Sequence, residues 1–247
     1  MPNPLPSHQP FGWGAVLLGV ILLAPLGLLA WHLADRPASQ LSLLADTGRG
    51  FGVFPPGPPW LYGKAGARYT LTLHADLECP YCKTYFPLLK SWIDKHPDTM
   101  LEWSHLPLPI HEPAATELAL MAECVGEAEG HAAFWDAATW IYRHTRSDGR
   151  GLPPGVTYSG ITPTVKACVT SDRAKSVVRA QMQAAAAEKI DATPTVKIRD
   201  SETGKSLLLP GPVDGDALLS ALDLVSADEI SARAGEKLPA DIVGEPR

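Results

Sequence analysis

The chain has 247 residues, 45% of them hydrophobic and 19% charged, with a formal net charge of −6. That length gives one or two domains with room for a sizeable core. An acidic balance with no basic cluster argues against nucleic acid as a partner, and the eight histidines form no H-x-x-x-H or H-E-x-x-H metal pattern.

Residues 1–10 form a short amino-terminal tail. Phe11 to Trp31 is an uncharged apolar run, long enough to cross a bilayer core of roughly 30 Å as a transmembrane helix over residues 11–32. Trp13 and Trp31 sit near its ends, where aromatic rings favour the interface, and Pro25 is tolerable within a membrane helix. The alternative is a cleaved signal peptide. Residues 1–10 contain no Lys or Arg, however, and no convincing A-x-A site follows, so the expectation is a retained anchor. Arg36 alone flanks the run and is a weak orienting signal. Four cysteines in two plausible pairs suit an oxidising compartment, which places the carboxyl-terminal domain outside the cytoplasm.

Residues 33–66 read as a Pro/Gly-rich linker, with a short helix at Leu41 to Ala45. Phe54-Pro55-Pro56-Gly57-Pro58-Pro59-Trp60 is an extended spacer rather than a ligand for an SH3-like groove. From residue 67 to 225 the pattern is that of one α/β domain. Tyr69, Leu71 and Leu73 alternate as in a strand, and Phe86, Leu88, Leu89, Trp92 and Ile93 recur as in a helix. Met100 to Leu106 is the next strand, which completes a β-α-β unit. A helical insertion spans about 113–190, with helices at Glu117 to Val125, Ala132 to Tyr142 and Ala-rich Arg173 to Lys189. A Gly/Pro-rich loop separates them from Arg146 to Gly160. Strands at Thr195 to Arg199 and Ser206 to Leu209 follow, then a helix from Asp214, a plausible N-cap, to Val225. Residues 226–247 form a polar tail.

Between the first strand and its helix lies Cys79-Pro80-Tyr81-Cys82. A strand that ends in C-x-x-C and feeds a helix is the layout of a thioredoxin-type redox site. Unpaired N–H groups at a helix N-terminus favour a thiolate on the first cysteine. The second, one turn further on, is placed to resolve a mixed disulfide. Pro80 fits the first helical turn, because it has no N–H to lose there. Half of a zinc site and a purely structural disulfide remain as alternatives. The other cysteines, Cys124 and Cys168, form no second C-x-x-C. Asp76 and Glu78 are candidates to tune the thiolate, although acids beside a helix start are mostly solvated, and His74 is another. His105, His111 and His131 read as ordinary surface or loop residues.

His74-Ala75-Asp76-Leu77-Glu78-Cys79-Pro80-Tyr81-Cys82-Lys83, the inserted helices and Ala192-Thr193-Pro194-Thr195 resemble the bacterial Dsb proteins. These are thioredoxin-fold thiol–disulfide oxidoreductases of the cell envelope. The resemblance covers roughly residues 62–225. C-P-Y-C, Asp76, Trp92 and the Thr before the proline look most like DsbG and its relative DsbC, and D-x-E-C-P-Y-C-K is also close to anchored DsbA-like proteins. It implies a thioredoxin-like fold with a helical insertion, preceded by the transmembrane helix. It also implies a cis Thr193–Pro194 bond facing Cys79 and Cys82, with the Thr193 backbone open to substrate, and a disulfide between Cys124 and Cys168. Two buried free thiols are the alternative for that pair. No cofactor is implied beyond the redox-active Cys79–Cys82 pair, and no metal. The implied partners are exported cysteine-containing proteins and a membrane redox partner of the DsbB or DsbD type, with the chain in the bacterial inner membrane and its redox domain in the periplasm.

Two departures bear on function. The segment between the apolar helix and the domain is too short for the dimerisation module of DsbC and DsbG. Leu73 stands where thioredoxin and DsbA carry a buried carboxylate. The sequence therefore leaves the direction open: isomerase or reductase, DsbA-like dithiol oxidase, or a non-catalytic chaperone that kept the fold.

Overall fold

The computed structural model describes residues 53–227. The expected membrane helix over 11–32 lies outside them, as do the first part of the linker and most of the carboxyl-terminal tail. Among the described residues no helix is long and apolar enough to cross a membrane.

Among the described residues, five strands form one sheet in the order β1-β3-β2-β4-β5. They are β1 (Leu61–Gly63), β2 (Tyr69–Ala75), β3 (Thr99–His105), β4 (Thr195–Asp200) and β5 (Ser206–Pro210). β2 and β3 run parallel across helix α1 (Pro80–Ile93), and the other neighbours are antiparallel. Strand periodicity puts Leu71, Leu101 and Ile198 in one row of a single face, and Leu73, Trp103 and Val196 in the next. All six are buried. Phe86 of α1 and Leu218 and Leu222 of the last helix, α6 (Gly215–Ser226), join them in the main core. Asp214 caps α6 as expected, its carboxylate accepting from Ala217 N at 2.8 Å.

The insertion consists of α2 (Ala114–Glu129), α3 (His131–His144), α4 (Pro163–Val169) and α5 (Asp172–Ala187). Short α4, which carries Cys168, falls within the expected helical insertion, but the sequence pattern sets no bounds for it. Its seven residues are too few to show a helical period, and Pro163 with the Thr162 cap starts it. An aromatic cluster ties the insertion to the sheet: Trp103 and Trp135 have ring centroids 6.0 Å apart, and Phe86 and Tyr142 are 5.1 Å apart.

The end of the expected linker belongs to the domain. Trp60 is fully buried, and Leu61 to Gly63 pair antiparallel with β3 as an edge strand. Partners far along the chain hold this segment. The Trp60 indole N–H donates to the Glu123 carboxylate at 2.6 Å, Leu61 N donates to His131 Nδ1, and Trp135 Nε1 donates to Leu61 O. This corrects the surface reading of His131, which is buried and accepts a strand N–H. His105 is corrected likewise. It has no exposed surface, and its Nδ1 accepts from the Trp103 indole at 2.9 Å.

Candidate active site

The central strand β2 delivers the site. Residues 76–79 turn out of its carboxyl end, with Cys79 N donating to Asp76 O at 3.1 Å. Cys79 is the N-cap of α1, in an extended conformation, and Pro80 begins the helix. Cys79 and Cys82 are free thiols, and both are buried. Tyr81 between them is exposed.

The two thiols differ in acidity. Hydrogen bonding from the Cys82 side chain, helped by backbone groups of Cys82 and Tyr81, outweighs burial and lowers Cys79 to about 6. Burial in turn pushes Cys82 well up, and the neighbouring Cys79 adds to the rise. One thiol is therefore ready to act as a thiolate near neutral pH while its neighbour keeps its proton.

The Thr193–Pro194 bond is cis. It sets the start of β4 against the site, with Cys79 Sγ 3.4 Å from Thr193 O. Gly211 N donates to Pro194 O at 2.8 Å, which joins this corner to the loop before α6.

The acids are placed otherwise than the sequence suggests. Asp76 and Glu78 are buried, not solvated. The Asp76 carboxylate accepts from Glu78 N at 2.7 Å and Leu108 N at 2.9 Å, and His111 Nδ1 lies 2.7 Å from it. His111 is thus a partner of the active-site turn rather than an ordinary loop residue. Glu78 Oε2 accepts from Gly149 N and Gly151 N, and Lys83 Nζ donates to Thr145 O. Loop 145–151 therefore grips both sides of the C-x-x-C. Gly149 has φ +79°, and a Cβ there would meet the backbone of Ile110 and His111 at 3.2–3.3 Å. Only glycine lets the loop lie this close to that turn.

His74 is buried on β2, paired with Thr195 and Ser104, and neither ring nitrogen has a hydrogen-bond partner. Burial lowers it to about 4, so at neutral pH it carries no charge to offer the thiolate. Leu73 is buried in the core.

Sequence reasoning missed Tyr142. This α3 residue is buried, and its hydroxyl donates to Asp76 O at 3.1 Å. Its only signal in the sequence was membership of an apolar helical face.

Cys124 and Cys168 are bonded to one another, with Cα atoms 5.6 Å apart, joining α2 to α4. They lie in a core of their own around Val165, Ala174 and Val178, separate from the redox pair.

The family model described as thioredoxin matches residues 56–210. Among solved structures, DsbA2 of Pseudomonas aeruginosa is 40% identical, with TM-score 0.67 over 72% of this chain and 99% of that one. BdbD of Bacillus subtilis is 21% identical, with TM-score 0.54 over 69% of this chain and 96% of that one. The catalytic domain of Proteus mirabilis ScsC is also 21% identical, with TM-score 0.51 over 68% and 89%. The last two share the fold. No curated protein sequence matches. The chain belongs to the thioredoxin family. Within that family it is a thiol–disulfide oxidoreductase of the Dsb type.

Proposed function

We propose that this chain is an envelope dithiol oxidase that passes its Cys79–Cys82 disulfide to exported proteins. A substrate thiolate attacks Cys79 Sγ, the Cys79–Cys82 bond breaks, and Cys82 leaves as a thiolate that takes up a proton. A second substrate thiolate then attacks the substrate sulfur of the mixed disulfide, and Cys79 leaves as a thiolate. The substrate loses two electrons to the pair. A membrane partner of the DsbB type restores the disulfide; reduction at rest by a DsbD-type partner is the opposite case.

The observation that carries this reading is Cys79 at the N-cap of α1 with Cys82 buried one turn in, an arrangement that holds the Cys79 thiol down to about 6. A low-pKa thiol leaves faster in the second step, and a stabilised thiolate favours the reduced form, so the disulfide is a stronger oxidant. Protein substrates fit the surroundings. Tyr81 and Ile110 are exposed, and an apolar trough of about 410 Å³ runs along α1 past Tyr85, Leu88 and Trp92 to Val213 and Leu218. The Cys124–Cys168 disulfide supports an oxidising compartment. Residues 11–32 would tether the domain to the inner membrane, with the redox site in the periplasm.

The test is the resting redox state of Cys79 and Cys82 in intact cells, trapped by acid, alkylated and read by peptide mass. The disulfide at rest is the expected result. The dithiol at rest would overturn the oxidase reading in favour of a reductase or isomerase.

A further inference from the structure

Tyr142 reaches the active site from the inserted helix α3, 66 residues along the chain from Asp76. Its ring packs on Phe86 at 5.1 Å between centroids. Phe86 lies one helical turn after Cys82, on the same face of α1, so that packing aims the hydroxyl at the start of α1. There it meets two groups. It donates to Asp76 O at 3.1 Å, and Cys82, packed with Phe86 and Tyr142 in the same buried core, is near enough to help raise the phenol. The whole arrangement is buried.

Asp76 O is served twice, because Cys79 N also donates to it at 3.1 Å. The tyrosine hydroxyl can therefore rotate away from Asp76 without leaving a buried carbonyl unpaired. A buried Cys82 thiolate has great need of such a donor. Burial keeps the tyrosine proton in place, so the group donates a hydrogen bond and does not act as a base.

We infer that Tyr142 is a catalytic hydrogen-bond donor to Cys82, rotating from the Asp76 carbonyl to the sulfur as the Cys79–Cys82 bond opens or closes. The inference rests on the redox reading above and adds a residue to it. In the opening step an incoming thiolate bonds to Cys79 Sγ, the Cys79–Cys82 bond breaks, and the electron pair goes to Cys82 Sγ. The Tyr142 O–H stabilises that charge until solvent supplies a proton. Closure is the reverse, with the incoming thiol released.

The probe is reduced glutathione, added to the oxidised full chain. Acid-quenched mass spectrometry follows the opening of the disulfide and the adduct on Cys79. Tyr142→Phe keeps the ring and removes the donor. A hydrogen bond to a charged group is strong enough that opening should slow about tenfold. The pH limb of the closing rate, which belongs to Cys82, should move to higher pH. Cys79 in the reduced variant, read by thiolate absorbance, should keep its ionisation. A ring-fluorinated tyrosine at 142, a stronger donor of nearly the same size, should restore or exceed the wild-type rate. An unchanged rate in Tyr142→Phe overturns the inference and leaves the redox reading standing. A fluorinated variant as slow as Tyr142→Phe also overturns it. If glutathione forms no adduct on Cys79 in the wild type, the redox reading falls and this inference falls with it.

Discussion

The two cysteine pairs carry the same chemistry in different surroundings. Cys79 and Cys82 share the first turn of one helix, at the end of the central strand. Groups around them favour the thiolate of the first and oppose that of the second. Cys124 and Cys168 are separated by 44 residues, sit on two helices of the insertion, and are already bonded. An exchangeable pair needs one good leaving group and access; a structural pair needs only to hold two elements together. What separates them is the helix N-terminus and the Thr193–Pro194 corner, not the sulfur.

The largest effect should come from breaking the exchangeable pair. Cys79→Ser should abolish thiol–disulfide exchange altogether in an insulin-reduction or peptide-oxidation assay. Cys82→Ser should keep the nucleophile and accumulate covalent adducts with substrate proteins, visible on non-reducing gels. Full activity with no adducts in Cys82→Ser would remove the two-thiol mechanism.

Removing the other pair should do the reverse. Replacing both Cys124 and Cys168 with Ala reopens a 44-residue separation, which chain entropy prices at about 4 kcal/mol of stability. Denaturant melts should show that loss, while the reduction potential of Cys79–Cys82 stays at the wild-type value. A moved potential would mean that the two pairs are coupled through α2 and loop 145–151.

Local patterns carried the frame of this site. The alternation of Tyr69, Leu71 and Leu73, the C-x-x-C with Pro80, and Thr193-Pro194 at the head of a strand are all short-range signals. They located β2, α1 and β4 within a residue or two. What stayed hidden depends on partners distant in sequence. Trp60 looked like linker because the carboxylate that holds it, Glu123, is 63 residues away. Asp76 and Glu78 looked solvated because the loop donors that hold them, Leu108 N and Gly149 N, lie 32 and 71 residues later. Tyr142 was one aromatic among several on a helix face, and only the fold points its hydroxyl at Asp76. A backbone N–H that neutralises a buried acid leaves no trace in composition.

His74 separates a charge role from a packing role beside the exchangeable pair. Its folded value is lowered to about 4 from 6.5, so the unfolded chain takes up a proton that the folded one refuses between those values. Stability contributed by the neutral ring is full above pH 6.5 and is lost as pH falls toward 4. The loss is on the order of 3 kcal/mol. In oxidised protein, where Cys79 does not titrate, His74→Asn should flatten the fall in unfolding free energy across that window. An equally steep fall in the variant would show that His74 is not held neutral.

The smallest effect tests the asymmetry of Cys79 and Cys82 directly. Reducing the disulfide takes two electrons, and it takes two protons only while both thiols stay protonated. Below the Cys79 value of about 6 the reduction potential should fall by about 59 mV per pH unit; above it one sulfur stays ionised and the slope should halve to about 30 mV. Because the folded value lies below the free-thiol value of 9.0, the thiolate stabilises the reduced fold fully above pH 9. That stabilisation is lost as pH falls to about 6. Glutathione equilibria from pH 5 to 8 should therefore show a break near 6, with Cys82 contributing none in that range because burial holds it well up. A single slope of about 59 mV through pH 8 would mean that Cys79 has no lowered value. The oxidant reading would then lose its physical basis, while the structural pair would be untouched.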